Sequence, residues 1–245
     1  MKQILFKAAV LALIPSAATF AAIPAGKPNL RPKVMEILNL PPENRSQAVL
    51  TTTEDMYKEF ISVAFAEDQS MRLRWRALML AAEGRREKAT PDLLKAGAHK
   101  QWFMRNAALV ALAEVNQGEA QKLAKKLLKD KALVVRSAAV DVLQKNPRPE
   151  VRDLLWEEMN QKYNYRNKES LWIRAQIVDA MAQTPADHEL KIFNRLLNDK
   201  DTRVQAAAVG GMEKLTGVKL GDNNSTREKL VLLWKDYARK EKLAL

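Results

Sequence analysis

The chain of 245 residues contains no cysteine. Disulfides, thiolate metal sites, a cysteine nucleophile and lipoprotein acylation are all excluded. Histidine is nearly as scarce: His99 and His188 form neither an H-E-x-x-H spacing nor a ligand cluster, so no metal site is expected. Glycine is sparse at eight residues, and none of them builds a P-loop, a G-x-G-x-x-G turn or a G-x-S-x-G elbow. Carboxylate pairs such as Glu157-Glu158 are expected in helical, solvated positions rather than in a cleft that would split their pKa values. The sequence therefore predicts no catalytic residue, no cofactor and no enzyme. Convincing strand alternation is missing too, which leaves an all-α fold.

One apolar run stands apart. Ala8 to Ala22 is interrupted only by Pro15, Ser16 and Thr19, and it follows a start that carries Lys2 and Lys7 and no acid. Small residues at Thr19-Phe20-Ala21 fit a peptidase site, with Ser16-Ala17-Ala18 as a second option. This pattern predicts a secretory signal peptide at residues 1–21 and a periplasmic or secreted protein. The run is short for a membrane span, which takes about 20 residues. The chain is strongly basic, with 41 Lys+Arg against 29 Asp+Glu and a net charge of +12. In an exported protein that excess points to a protein partner with an acidic patch or to an anionic envelope surface, lipid headgroup or wall polymer; no nucleic acid is expected.

What the sequence has in abundance is repetition. Arg74, Arg105, Arg136, Arg174 and Gln205 sit in near-copies of one helix (RWRALMLA, RNAALVAL, RSAAVDVL, RAQIVDAM, QAAAVGGM) at steps of 31, 31, 38 and 31 residues. Counted from each of these positions, offsets −1, +3, +4 and +7 are apolar in every copy, as in Val135, Ala139, Val140 and Leu143. Those offsets form one helical stripe, with small residues at +3 to admit a neighbouring helix. Helix pairs are predicted at 54–66 with 70–83, 91–97 with 101–115, 118–129 with 132–145, 149–161 with 169–183, and 187–198 with 201–215. A last helix is predicted at 226–242. Thr90-Pro91, Asn146-Pro147, Thr184-Pro185 and Gly217 punctuate the joins. Residues 22–50, which include Pro28, Pro32, Pro41 and Pro42, read as a proline-rich tether holding at most one short helix, Val34 to Leu40.

The pattern resembles the HEAT-repeat family, in particular its short bacterial forms. The resemblance rests on a turn aspartate, then Val-Arg, then an alanine-rich second helix. Asp130…Val135-Arg136-Ser-Ala-Ala fits best, Asp199…Val204-Gln205-Ala-Ala-Ala fits with Gln for Arg, and Asp68…Leu73-Arg74 fits in outline. His99 and Lys168 stand where the second and fourth copies should carry Asp. The resemblance covers about residues 54–215. It implies an α-solenoid of about five helix pairs over 51–245, with a C-terminal capping helix, in which units stack because none buries its apolar face alone. It also implies that each arginine ties the turns of neighbouring repeats together. The alternative for Arg74, Arg105, Arg136 and Arg174 is an outward strip that grips an acidic ligand.

Other candidate contact residues follow from position. The seven extra residues of the fourth unit fall near Gln161–Lys168, and insertions in such arrays form loops on one rim. Tyr163, Tyr165, Arg166 and Lys168 in that loop are residue types suited to partner binding. Trp75 follows Arg74 on the expected solvent side. Trp102 and Trp172 are expected to seal joints between repeats, and Trp156 and Trp234 to lie in the core. Lys122, Lys125, Lys126, Lys129 and Lys131 mark the polar face of an outer helix. The leading expectation is a non-catalytic scaffold that binds a protein through its concave face and the 162–168 loop. Salt-sensitive adhesion to an anionic envelope surface is the second, and a HEAT-like DNA glycosylase or tetrapyrrole lyase the third.

Overall fold

The computed structural model describes residues 29–222 and 224–243; the expected signal peptide lies outside them. Two helices open the described chain, α1 (Arg31–Asn39) and α2 (Pro42–Val49). Five pairs follow: α3 (Glu54–Phe65) with α4 (Met71–Arg85), α5 (Thr90–Gly97) with α6 (Trp102–Val115), α7 (Gln117–Leu127) with α8 (Leu133–Gln144), α9 (Pro149–Met159) with α10 (Ile173–Gln183), and α11 (Leu190–Leu196) with α12 (Thr202–Thr216). The last helix is α13 (Arg227–Lys240). The fold is an all-α solenoid.

Local chemistry sets these boundaries. Thr53, Ser70, Asn116, Asp201 and Thr226 each accept a hydrogen bond from the first turn of the helix they precede. Such caps satisfy amides that would otherwise lack partners and contribute about 1 kcal/mol each. Gly217 ends α12 in the left-handed region, at φ 69°, where a side chain would be strained.

The tether expectation needs correction. Residues 31–49 are two helices packed on α3 and α4, and Val34, Leu38 and Val49 are fully buried. Pro32 and Pro42 do not prevent this, because both lie in first helical turns, where a missing N–H costs nothing. The pair covers the N-terminal apolar end of the array. At the other end α13 packs on α12 and buries Val231, Trp234 and Ala238. Both ends of the stack are thus closed, as a quasi-one-dimensional array requires.

The predicted stripe is the core. Every residue at offsets −1, +3, +4 and +7 in the five copies is buried, except Leu73, which is half-buried. The second helices α4, α6, α8, α10 and α12 pack on one another in an unbroken row, whereas the first helices approach each other less closely. The stack therefore bends with its second helices on the inner side. Close approach needs small residues at particular points: a Cβ added at Gly211 would fall 2.5 Å from the ring of Phe193, which is fully buried. Gly211→Ala is expected to destabilise the protein by about 1–3 kcal/mol through overpacking, outweighing the helix-propensity gain of roughly 1 kcal/mol. Urea unfolding would measure it, and an unchanged or raised midpoint would contradict the packing described.

Candidate functional site

The arginine row resolves into a ladder inside the stack. Arg74, Arg136 and Arg174 are buried, and Arg105 is half-buried. Each holds its own turn and reaches the turn of the next repeat. Arg105 donates from Nη1 to the carbonyls of His99 and Lys100 at 2.8 and 2.9 Å. Its other edge forks onto Asp130, Nε to Oδ2 at 2.6 Å and Nη2 to Oδ1 at 2.7 Å. Arg174 repeats the forward contact on Asp199, at 3.1 and 2.7 Å. A planar guanidinium matches both bonds at once, which lysine could not do.

Where the aspartate is missing, amides complete the ladder. Asp130 has two tasks: it accepts from Arg105, and its Oδ1 accepts from the backbone N–H of Ala132 at 2.8 Å. In the second unit these tasks are divided. His99 Nδ1 accepts from the N–H of Gln101 at 3.1 Å, and the Gln101 amide oxygen accepts from Arg74 Nη1 at 2.6 Å. In the fourth unit the Asn164 Oδ1 accepts from Arg136 Nε at 3.0 Å, and the carbonyl of Tyr163 accepts from Arg136 Nη2 at 2.8 Å. Gln205 keeps only the bond to its own turn, Nε2 to the carbonyl of Asp199 at 2.5 Å. Among the described residues the single helix α13 follows it instead of another helix pair.

The internal role of the row displaces its reading as a surface strip: the guanidiniums of Arg74, Arg105, Arg136 and Arg174 are bonded to turns within the stack, although Arg74 Nη2 and Arg174 Nε are buried without a partner. The insertion also differs from expectation. It closes as a short hairpin, β1 (Tyr165–Arg166) with β2 (Glu169–Ser170), across Asn167 and Lys168 at φ 51° and 66°. Two adjacent positive φ angles match the twist of a two-residue hairpin turn. The tyrosines in it serve the ladder. The Arg136 guanidinium lies 5.2 Å from the Tyr163 ring centre, Arg174 lies 4.7 Å from that of Tyr165, and the Tyr163 hydroxyl donates to Glu158. Burial and the Glu158 carboxylate push the Tyr163 hydroxyl pKa up. Glu158 is itself buried, contrary to the solvated place expected for it. Arg166 and Lys168 remain exposed on the hairpin.

A second internal network was not legible in the sequence. Glu189, fully buried, accepts from Arg152 Nε and Nη2, from the indole N–H of Trp156 and from the backbone N–H of Ala186. It anchors α9 to the turn before α11. Burial opposes its ionisation, but these donors win and hold its pKa below the usual carboxylate range. Asp130 and Asp199 are lowered for the same reason, burial being outweighed by Arg105 and Arg174 and by backbone donors.

Several large apolar residues are left exposed at the starts of the second helices. Met71, Trp102, Val134 and Trp172 are exposed large apolar residues, each two or three positions before a ladder arginine, at the starts of α4, α6, α8 and α10. Trp102 and Trp172 are 43% and 44% exposed, so they do not seal joints as expected. Trp75 is half-buried: it packs on the core and keeps part of its ring at the surface. Trp234 is fully buried, and Trp156 is half-buried against Phe193. On the outside of the array, Lys122, Lys126, Lys129 and Lys131 are exposed around the buried Leu123, Leu127 and Leu128 of their helix. Among the described residues no group of His, Cys, Asp and Glu could hold a metal ion, and no helix is long and apolar enough to cross a membrane.

The ladder yields two tests. Asp130→Ala should cost about 2–3 kcal/mol, less than the roughly 3–5 for a fully enclosed pair, because Arg105 keeps its two carbonyls. Asp130→Asn should cost only about 1 kcal/mol, as amides already serve at Gln101 and Asn164. Because Asp130, Asp199 and Glu189 ionise more readily folded than unfolded, the unfolded chain takes up protons first on acidification. Stability should be complete above the unfolded carboxylate range near pH 4 and fall as pH drops through the lowered folded values. Melting temperatures at pH 7 and pH 3 would show it, with a smaller drop in an Asp130→Asn/Asp199→Asn double variant. An equal drop would remove these carboxylates as the cause.

A search of curated proteins gave no match. The family model for HEAT repeats matches residues 59–144, from within α3 to the end of α8. That match covers the first three helix pairs in part or whole, and the same pattern of helix pairs and turn-binding side chains continues beyond it to Gln205 in one α-solenoid, so the chain carries HEAT-type repeats.

Proposed function

We propose that this chain is an exported, non-catalytic scaffold that binds a protein partner along the inner face of its array. The coarser part of this reading rests on the repeats themselves, which commonly mediate protein–protein interaction. The finer part is carried by one observation: Met71, Trp102, Val134 and Trp172 stand exposed at the starts of the second helices of four successive repeats. Neighbouring packed helices lie about 8–10 Å apart, so these residues form a broken apolar rail about 25–30 Å long. Scattered apolar residues need no explanation, but one at the start of each of four neighbouring second helices fits an interaction surface.

The rail also sets the form of the partner. A pitch of about 10 Å matches side chains at i and i+7 along an α-helix, which rises about 1.5 Å per residue. An amphipathic segment laid across the second helices would meet one anchor per repeat. The exposed Arg166 and Lys168 of the hairpin lie near the C-terminal part of that rail in sequence and suit an acidic flank on the partner.

Export is the expectation of the first 21 residues, and N-terminal sequencing of the protein from envelope extracts tests it. A mature start at Ala22 agrees, while an intact Met1 in cytoplasmic extract removes export from the reading. The binding claim is tested by chemical crosslinking and pull-down from the native source, comparing the wild type with a Met71→Ser/Trp102→Ser/Val134→Ser/Trp172→Ser variant. Partner recovery should fall at least about tenfold, equivalent to 1.4 kcal/mol, with the melting temperature retained. Equal recovery from a folded variant would exclude the inner face.

A further inference from the structure

The N-terminal end of the rail carries a groove with an apolar lining. Between α4 and α6 the surface dips into a groove of about 440 Å³. Met71, Trp75, Met79 and Trp102 make its apolar lining, and Met71 and Trp102 are 52% and 43% exposed. Methionine and tryptophan together give a large, adaptable contact area.

Three arginines border this groove: Arg45 from α2, and Arg72 and Arg76 from α4. None of the three forms an ion pair with a carboxylate among the described residues, although Arg31, Arg85, Arg105, Arg152 and Arg174 all do. The unpaired state is not supplied from the preceding chain, because residues 1–28 contain no Asp or Glu. Arg76 donates to the carbonyl of Leu38, and the buried Nε of Arg45 has no hydrogen-bond partner. Burial and then the charges of Arg45 and Arg72 lower the pKa of Arg76, which reflects like charges crowded at one rim. Unpaired cations beside an exposed apolar floor are complementary to an anion that also carries apolar groups.

We propose that this groove captures an acidic peptide segment of a partner protein. Its bulky apolar side chains lie on Met71, Trp75 and Trp102, and its carboxylates meet Arg45, Arg72 and Arg76. The proposal rests on the scaffold reading above and names the chemistry of the partner at one place in the array. A peptide is the occupant proposed because the apolar lining and the three arginines sit side by side within one groove of about 440 Å³. Carboxylates on a segment with apolar side chains use both halves of the site, whereas a simple polyanion uses only the arginines.

Selection of random short peptides displayed on phage, against the full mature chain, tests this without presuming a sequence. Enriched peptides should combine Asp or Glu with Leu, Phe, Trp or Met. Their binding, followed by tryptophan fluorescence, should weaken at least about tenfold with Arg72→Glu and with Trp102→Ser, an effect of 1.4 kcal/mol or more. Leu232→Ser, which changes an exposed apolar residue on α13, should leave it unchanged. Both groove residues are exposed at the surface, so the variants should fold, and circular dichroism melts would verify it. Enrichment of peptides without acidic residues, or binding indifferent to both groove variants, overturns the proposal. So does Arg72-dependent sedimentation with phosphatidylglycerol vesicles stronger than any peptide binding, which would assign the site to membranes. If a native partner is still crosslinked equally by wild type and Arg72→Glu, the groove is wrong and the scaffold reading stands. If the wild type crosslinks no partner, the scaffold reading fails too.

Discussion

Each guanidinium of the ladder spans one joint: it holds the turn of its own repeat through carbonyl or side-chain acceptors and the turn of the next through a side-chain acceptor. The apolar seam between second helices supplies most of the burial, but it is a surface of aliphatic side chains with little direction in it. The directional contacts that fix how one repeat sits on the next are the paired bonds of Arg105 to Asp130 and of Arg174 to Asp199, and the amide versions at Gln101 and Asn164. Ion pairs of this kind add little net stability once desolvation is counted. Their contribution is geometric, and the inner face inherits its regular spacing from them.

Most of the fold could be read from the chain because its physics is local and repeated. The 3.6-residue stripe, the capping residues and the 31-residue step all lie within short windows, and the helix pairs fall within a few residues of where periodicity puts them. The N-terminal helices were less legible. Pro32, Pro41 and Pro42 dominate the composition there, yet proline forbids a helix only beyond its first turn, and the buried Val34, Leu38 and Val49 are too few to make a clear stripe.

The candidate site was less readable for a different reason. A residue type that suits binding also suits internal cover. Tyr163 and Tyr165 looked like anchors for a partner, and both are placed against ladder arginines. Conversely Trp102 and Trp172 looked like seals and are exposed. For Trp102 and Trp172 the outcome depends on which way a side chain leaves the first turn of its helix, where the stripe count is ambiguous by one residue, and for the tyrosines on how the inserted hairpin folds back. Glu189 shows the same limit: its partners Arg152 and Trp156 lie more than thirty residues away in sequence, and no local pattern announces them.

The hairpin at Tyr165–Ser170 lies between the third and fourth arginines, the one place where the step lengthens from 31 to 38 residues. A lengthened linker in a strict stack would ordinarily loosen the joint. Here the added chain folds back, so that Asn164 substitutes for the absent aspartate and two phenol rings cover the cations. The molecule thus absorbs extra sequence without a hinge, and an applied force should bend it as one continuous spring instead of opening it at its longest connection.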